Sequence, residues 1–160
     1  MATLKVTVPE GAQNIIGVAT IEAPRENVFR AYTDPTLFTR WWGRGHKMKV
    51  FRFDCHEGGG WHVAECTPDG KEHVFMGSFH EVTPHERIVQ TFEYLGLPER
   101  GHVFLERADF VALDANTTEV RSLSVAQSRE ERDGMLASGM EQGWRQSVEA
   151  LGKLLESREP

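Results

Sequence analysis

The sequence predicts an α+β fold in which a curved antiparallel sheet of seven strands wraps one long C-terminal helix, with two short helices after the first strand. Three observations lead to this prediction. Residues 128–156 carry the longest helical pattern, with apolar residues recurring close to every 3.6 positions. Residues 47–127 contain six strand-like segments joined by short turns, which is typical of an antiparallel meander. An apolar, β-branched segment at 15–23 precedes two short helical patterns.

The C-terminal helix carries specific start signals. Ser128 is placed to cap its first turn, and Glu131 three residues later completes a capping box. Gly139 and Gly143 lie four residues apart on one face, where each glycine costs about 1 kcal/mol relative to alanine. They indicate either close packing of a strand or space for another molecule. The predicted apolar face consists of Leu136, Met140, Trp144, Val148, Leu151 and Leu155.

The other elements follow from turn and cap chemistry. Pro24 and Pro35 stand in the first turns of the two short helices, and Asp34 caps the second of them. The alternation of Leu4 and Val6 is compatible with a short extra strand at the start of the chain. The seven predicted strands are 15–23, 47–55, 60–66, 73–82, 87–94, 103–113 and 119–127.

Turns centred on Gly58 and Asp69 set a strand register that gathers one aromatic face. Such a face must be covered, and the C-terminal helix is the large apolar element available. In segment 87–94, the inner residues are Ile88, Phe92 and Tyr94, whereas the last two strands mix apolar and charged residues and are left unoriented. The predicted inner face is Phe51, Phe53, Cys55, Trp61, Val63, Glu65, His73, Phe75, Gly77 and Phe79.

Chain length, net charge and residue composition restrict the domain count, the partners and the location that can be expected of this protein. A chain of 160 residues suits one domain, here predicted to be 1–160, with enough sequence to bury a core. A net charge of −6 argues against a nucleic-acid partner. No apolar run approaches the roughly 20 residues that span a bilayer. Two cysteines and no leader pattern predict a cytoplasmic location.

A metal site is the first chemistry to weigh, because histidines and cysteines cluster between positions 54 and 66. In the predicted register, Cys55 and Cys66 point to opposite faces and lie roughly 16 Å apart along the ladder. That distance allows neither a shared metal ion nor a disulfide. We therefore predict no metal site and no cofactor.

The order of the elements resembles the helix-grip fold of the START-like, Bet v 1-like superfamily, also called SRPBCC. The motifs are most similar to its Hsp90-ATPase-activator-like branch, over residues 15–155. The resemblance implies a hydrophobic cavity between sheet and helix that holds a lipid-like or aromatic molecule. The motifs are Ile21-Glu22-Ala23-Pro24, Trp41-Trp42-Gly43, Gly58-Gly59-Gly60-Trp61, Pro68-Asp69-Gly70, Gly77-Ser78-Phe79-His80-Glu81-Val82 and Gly139-Met140-Glu141-Gln142-Gly143-Trp144.

The leading functional prediction is the binding of a small hydrophobic or aromatic molecule, lipid-like or polyketide-like, between sheet and helix. Glu65 and His73 are predicted cross-strand neighbours. They are either polar contacts for this ligand or, as we favour, an ordinary solvated pair of little energetic weight. The predicted contact residues are Trp61, Val63, Phe75, Phe79, Phe92, Leu136, Met140, Gly143 and Trp144.

Two other classes of function stay open. The resemblance also implies a cyclase-type or hydrolase-type enzyme, for which Glu65, His73, His102 or Glu106 would be the acid and base, although the chain carries no recognisable catalytic motif. A chaperone-cofactor interaction module is implied by the resemblance alone. The sequence also leaves open a homodimer and the identity of any ligand.

Overall fold

The computed structural model of the protein describes residues 1–156, so the predicted domain's last four positions, 157–160, lie outside the described residues. Within this range the chain forms eight strands and four helices. In chain order they are β1 (Ala2–Thr7), β2 (Asn14–Ile21), α1 (Arg25–Thr33), α2 (Pro35–Phe38), β3 (Lys47–Phe53), β4 (Gly60–Cys66), β5 (Glu72–Thr83), β6 (Arg87–Tyr94), β7 (Phe104–Asp114), β8 (Thr117–Val125), α3 (Arg129–Ala137) and α4 (Met140–Glu156).

The eight strands of residues 1–156 form one antiparallel sheet in the order β1-β2-β8-β7-β6-β5-β4-β3. The predicted α+β fold and the order of its elements are confirmed. The predicted count of seven strands is one short, because the optional segment at the chain start is a full strand. Leu4 of β1 lies opposite Ala19 of β2, and both side chains are buried. Burial of these apolar residues explains why β1 is ordered.

The early helices begin as predicted. The Asp34 carboxylate accepts hydrogen bonds from the backbone N of Thr36 at 2.9 Å and from its Oγ1 at 2.7 Å, so it caps α2. Pro35 is the first residue of that helix. The Trp41 indole Nε1 then donates to the carbonyl of Ala31 at 2.8 Å, which ties the segment after α2 to α1. This tie orients the two tryptophans that follow α2.

The prediction of one continuous C-terminal helix is wrong. Ser128 Oγ accepts from the Glu131 backbone N at 3.1 Å, so the predicted cap is confirmed. However, α3 ends at Ala137, and Gly139 has a left-handed φ of +84°, after which α4 begins. Glycine takes this conformation readily, whereas other residues pay for it. Gly139 is therefore the break between two helices.

Side chains pack closely against glycines of the strands, but they do not pack closely against the glycine near the start of α4. An added Cβ at Gly17 of β2 would overlap the Trp144 indole, and one at Gly77 of β5 would overlap Trp61. By contrast, a Cβ at Gly143 would meet Arg44 Cδ at an ordinary 3.4 Å. Of the two interpretations of the helix glycines, close packing of a strand does not hold at Gly143, where the neighbouring space is taken by the Arg44 side chain.

The β4–β5 register is confirmed, with Glu65 opposite His73 as predicted. A turn centred on Gly58 predicts that Phe53 lies opposite Val63, and this β3–β4 register is wrong. Phe53 lies opposite Trp61, and a bulge separates Val50 from Arg52. The bulge turns Phe51 away from the predicted inner face. Its side chain is 54 % exposed, and its ring packs on the outer face. The turn after β3 is longer than predicted, which shifts the whole strand.

The structure orients the last two strands, which the sequence left open. Phe110 of β7 and Val120 of β8 face inward and are almost completely buried. Glu106 and Ser124 share this inner face. The mixture of charged and apolar side chains on one face explains why alternation alone could not orient these strands. Among residues 1–156, no helix is long and apolar enough to cross a membrane.

The glycines of α4 give a matched test of this packing. We expect Gly143→Ala to raise the free energy of unfolding by about 0.5–1 kcal/mol, because the position is helical and the added methyl group fits. We expect Gly152→Ala to lower it, because the new Cβ would lie 2.8 Å from Ala2 Cβ. Urea denaturation of both variants measures the difference. Equal effects at the two positions would contradict the described seating of α4 on β1.

Candidate functional site

A cavity of about 1040 Å³ lies between the inner face of the sheet and the helices α3 and α4. Typical small-molecule pockets have volumes of about 300–1,000 Å³, so this one is at the large end. Trp144 of α4 reaches across to Gly17 of β2 and lines the cavity on that side. Beyond it, the buried residues Val148 and Leu151 of α4 belong to the hydrophobic core. The cavity therefore occupies the region beside the first half of α4.

Aromatic side chains dominate the cavity wall. Trp42, which follows α2, lies at the centre: its ring centroid is 4.9 Å from that of Phe75 and 5.8 Å from that of Trp61, both in edge contact. Trp42 was named from the sequence only as part of the Trp41-Trp42-Gly43 motif and was missed as a site residue. The lining aromatic residues are Tyr32, Phe38, Trp41, Trp42, Phe53, Trp61, Phe75, Phe79, Phe92, Tyr94, Phe104 and Trp144.

The structure brings most of the predicted contact residues to this cavity. Val63 and Leu136 do not line it: Val63 is completely buried in the core, and Leu136 belongs to α3. Met135 of α3 lines the cavity, where Leu136 was predicted. The predicted residues that line it are Trp61, Glu65, His73, Phe75, Phe79, Phe92, Met140, Gly143 and Trp144.

One polar group of the cavity is built on Glu65. Arg44 Nε donates to Glu65 Oε2 at 2.8 Å, and His46 Nδ1 lies 2.7 Å from the same oxygen. Burial alone would raise the pKa of this carboxyl, but its hydrogen bonds to Arg44 and His46 lower it below the ordinary value. Glu65 is therefore a buried carboxylate held by two basic residues of one loop.

The favoured interpretation of Glu65 and His73 as a solvated pair is wrong. The two residues are register partners, yet Glu65 is only 5 % exposed and binds Arg44 and His46. His73 Nδ1 instead lies 3.0 Å from the Tyr94 hydroxyl. The loop after Trp42 supplies the missing partners, and strand register contains no information about that loop.

A second polar group is centred on Glu106 of β7. Ser124 Oγ donates to its Oε2 at 3.2 Å, and Gln90 Nε2 donates to its Oε1 at 3.5 Å. Burial raises the pKa of Glu106 to about 7, against the opposing effect of these two hydrogen bonds. Glu106 lines the cavity, and the exposed part of its side chain faces it. Burial and the charge of Glu106 also raise the pKa of the neighbouring Tyr32.

His102, the fourth candidate acid or base, joins two elements at the rim of the cavity. Its Nδ1 lies 2.7 Å from Glu131 Oε1 of α3, and this hydrogen bond raises the pKa of the imidazole. Gln127 Nε2 donates to the carbonyl of Gly101 at 2.7 Å in the same region. His102 thus connects the β6–β7 loop to α3.

The cysteines lie apart. Cys66 pairs with Lys47 in the β3–β4 ladder, while Cys55 follows β3, and both thiols are free. Burial raises the pKa of the Cys55 thiol to about 11, which makes it a poor nucleophile at neutral pH. Among residues 1–156, no group of three or more histidine, cysteine, aspartate or glutamate side chains is placed to hold a metal ion.

The Glu106 carboxyl predicts a specific pH dependence. Because its folded-state pKa lies above its ordinary value, the protonated carboxyl stabilises the fold at low pH, and this contribution is lost as pH rises towards about 7. The stability of Glu106→Gln relative to the native protein should therefore increase by about 3 kcal/mol between pH 4.5 and 7.5. Urea denaturation at both pH values measures it, and a constant difference would contradict the assignment.

Comparison with known proteins identifies the family. Residues 22–156 match the family model described as activator of Hsp90 ATPase homolog 1-like protein. No curated protein matches the chain in sequence. Similar structures include a Rhodobacter sphaeroides protein with a TM-score of 0.84 and 22% identity. The alignment covers 98% of this chain and 99% of the Rhodobacter sphaeroides chain.

Two further structures share the fold. An Arthrobacter aurescens protein has a TM-score of 0.87 and 21% identity, and the alignment covers 96% of this chain and 92% of the Arthrobacter aurescens chain. DynU16, a protein from the dynemicin biosynthetic locus, has a TM-score of 0.67 and 20% identity, with 92% of this chain and 49% of its own covered. These structures show the fold, and the family model, which matches most of the length of the chain, shows that the chain belongs to the activator of Hsp90 ATPase homolog 1-like family.

Proposed function

We propose that the protein binds a small hydrophobic or aromatic molecule, lipid-like or polyketide-like, in the cavity between the sheet and α4. The observation that carries the proposal is the cavity itself, about 1040 Å³ in volume and lined by aromatic side chains. A core of 156 described residues would be more stable if such a space were filled by its own side chains. Its retention in an otherwise packed molecule favours an occupant from outside.

The physical driving force is burial of apolar surface. A ligand that buries about 300 Å² of apolar surface gains roughly 7 kcal/mol before the costs of association are subtracted. Edge and stacking contacts with Trp42, Trp61 and Phe75 would favour flat aromatic bodies. The origin of DynU16 in a biosynthetic locus supports a ligand among biosynthetic small molecules.

A matched pair of cavity variants tests the proposal. Ala108 of β7 lines the cavity, whereas Ala112 of the same strand is exposed and lies outside it. We expect the neutral dye N-phenylnaphthylamine to bind the native protein with enhanced fluorescence. Ala108→Trp should weaken this binding at least about tenfold because the indole occupies the dye's space, and Ala112→Trp should leave it unchanged.

Native mass spectrometry of the purified protein completes the test by searching for a retained small molecule. Thermal denaturation of both tryptophan variants serves as the folding control. The proposal fails if the dye does not bind the native protein, or if a folded Ala108→Trp variant binds it as tightly as the Ala112→Trp variant does.

A second candidate function is acid–base catalysis in the same cavity, and Glu106 is the observation that favours it. Its carboxyl faces the cavity, and its pKa of about 7 suits proton transfer at neutral pH. Glu65 is less suited, because Arg44 and His46 already hold it as a carboxylate. The reaction would be of the cyclase or hydrolase type, on a bound aromatic or polyketide-like compound.

The base-promoted opening of nitrobenzisoxazole tests this second candidate. A carboxylate takes the ring C–H proton while the N–O bond breaks, and the product is a cyanophenolate with strong absorbance. At pH 8 the native protein should accelerate the reaction, and Glu106→Gln should lower the rate at least about tenfold. If Glu106→Gln and the native protein react equally fast, Glu106 is not a base for molecules in the cavity.

Four further properties of the protein are its domain extent, its cellular location, its binding partner and its oligomeric state. We propose one domain over residues 1–160, a cytoplasmic location and a small hydrophobic partner, and a homodimer stays a prediction. The two free cysteines, which lie on different parts of the β3–β4 hairpin, support a reducing environment. Light scattering during gel filtration would give the oligomeric state directly.

A further inference from the structure

Arg44 has an unusual backbone and position. Its φ of +60° is left-handed, and it stands between Gly43 and Gly45. A residue with a side chain pays roughly 1–2 kcal/mol for this conformation. The side chain lies over α4, where its Cδ is 3.4 Å from the place that a Cβ of Gly143 would occupy. The left-handed backbone at Arg44 and the glycines on either side of it place its side chain beside α4 at the cavity wall.

The Arg44 guanidinium is only partly used by the protein. Nε donates to Glu65 Oε2 at 2.8 Å. Among residues 1–156, no group accepts a hydrogen bond from Nη1 or Nη2 of Arg44, and the side chain is 31 % exposed. The two terminal nitrogens carry four N–H donors in one plane, an arrangement that matches a carboxylate. An arginine with these donors unused beside an apolar cavity offers a site for an acid.

The surroundings of Arg44 place it at the mouth of the cavity. It lines the main cavity and also borders an open depression beside α4, together with His46, Glu149 and Lys153. Glu65 and Glu149 face three basic residues here. Arg44 can therefore be reached from solvent at this side of the cavity.

The polar group centred on Glu106 offers an acid no cation among its hydrogen-bond partners. Glu106 is itself a carboxyl, and its hydrogen-bond partners Ser124 and Gln90 are neutral. A carboxylate placed there would meet an acidic residue that is hydrogen-bonded only to uncharged side chains. The two polar groups of the cavity therefore differ in charge, and the group at Arg44 is the one that favours an acid.

We propose that the cavity takes an amphipathic acid, whose carboxylate is bound by the terminal nitrogens of Arg44 and whose apolar body lies among the aromatic side chains. This inference rests on the proposed function, because it names the chemical class of ligand for the same cavity. Glu65 would act as a positioning residue that holds the guanidinium through Nε.

Two fluorescent probes with the same apolar body test the proposal. Pyrenebutyrate and pyrenebutanol differ in the group at the end of the chain, a carboxylate or a hydroxyl. The native protein should bind pyrenebutyrate about ten- to a hundredfold more tightly, the range expected for charge-assisted hydrogen bonds. Arg44→Asn should abolish this preference and leave pyrenebutanol binding within about twofold, because asparagine tolerates the left-handed backbone. Fluorescence titration measures both affinities.

Arg52→Asn is the matched control. Arg52 is an exposed arginine of β3 that pairs with Asp54 through Nε at 2.8 Å, so the same change there should leave the acid preference intact. If Arg44→Asn fails to fold because Glu65 loses a partner, the double variant Arg44→Asn/Glu65→Gln removes the buried charge as well. That variant should also lack the preference.

The outcomes separate the two proposals. Equal affinity of the native protein for both probes, or a preference retained without Arg44, overturns the acid proposal and leaves hydrophobic binding standing. If neither probe binds the native protein, the proposed function itself fails. A preference lost in Arg44→Asn and kept in Arg52→Asn supports an acid-binding end at Arg44.

Discussion

The cavity depends on how α4 is seated against the sheet. Close contact occurs where Gly17 of β2 receives the Trp144 indole and where Gly152 approaches Ala2 of β1. From Val148 onward the helix is buried in the core. The aromatic face of β4 to β6 therefore cannot collapse onto the first half of α4, because the second half already fixes the distance between them. Space is left there as a result of packing elsewhere.

The sequence predicted the elements that obey local periodicity and turn chemistry. Strands β4 and β6 have the predicted ends, and the caps at Asp34 and Ser128 are present. It could not show the bulge beside Phe51, because Val50 and Phe51 are both apolar, so the sequence does not mark the point where the alternation changes phase. The break at Gly139 was hidden for a similar reason, since a glycine fits both a helix interior and a left-handed turn.

The residues of the candidate site also fall into two groups, those that strand periodicity predicted and those that it could not predict. Aromatic residues such as Trp61 and Phe75 were predicted because strand alternation places them on one face. Arg44 and His46 were missed because they reach Glu65 from a loop, and no periodicity describes a loop. The signal that could have found them is the Trp41-Trp42-Gly43 motif, which is followed at once by two basic residues flanking a second glycine.

The weak attachment of α3 has a consequence for exchange with solvent. Within this described helix, Arg132 is the one fully buried side chain, and the helix is held by the His102–Glu131 contact and by Arg132 Nη1 donating to the Pro9 carbonyl at 2.6 Å. Breaking these few bonds would swing α3 about Gly139 without disturbing the sheet. Such a movement would open the cavity without global unfolding, so a ligand could reach the interior while the sheet stays folded.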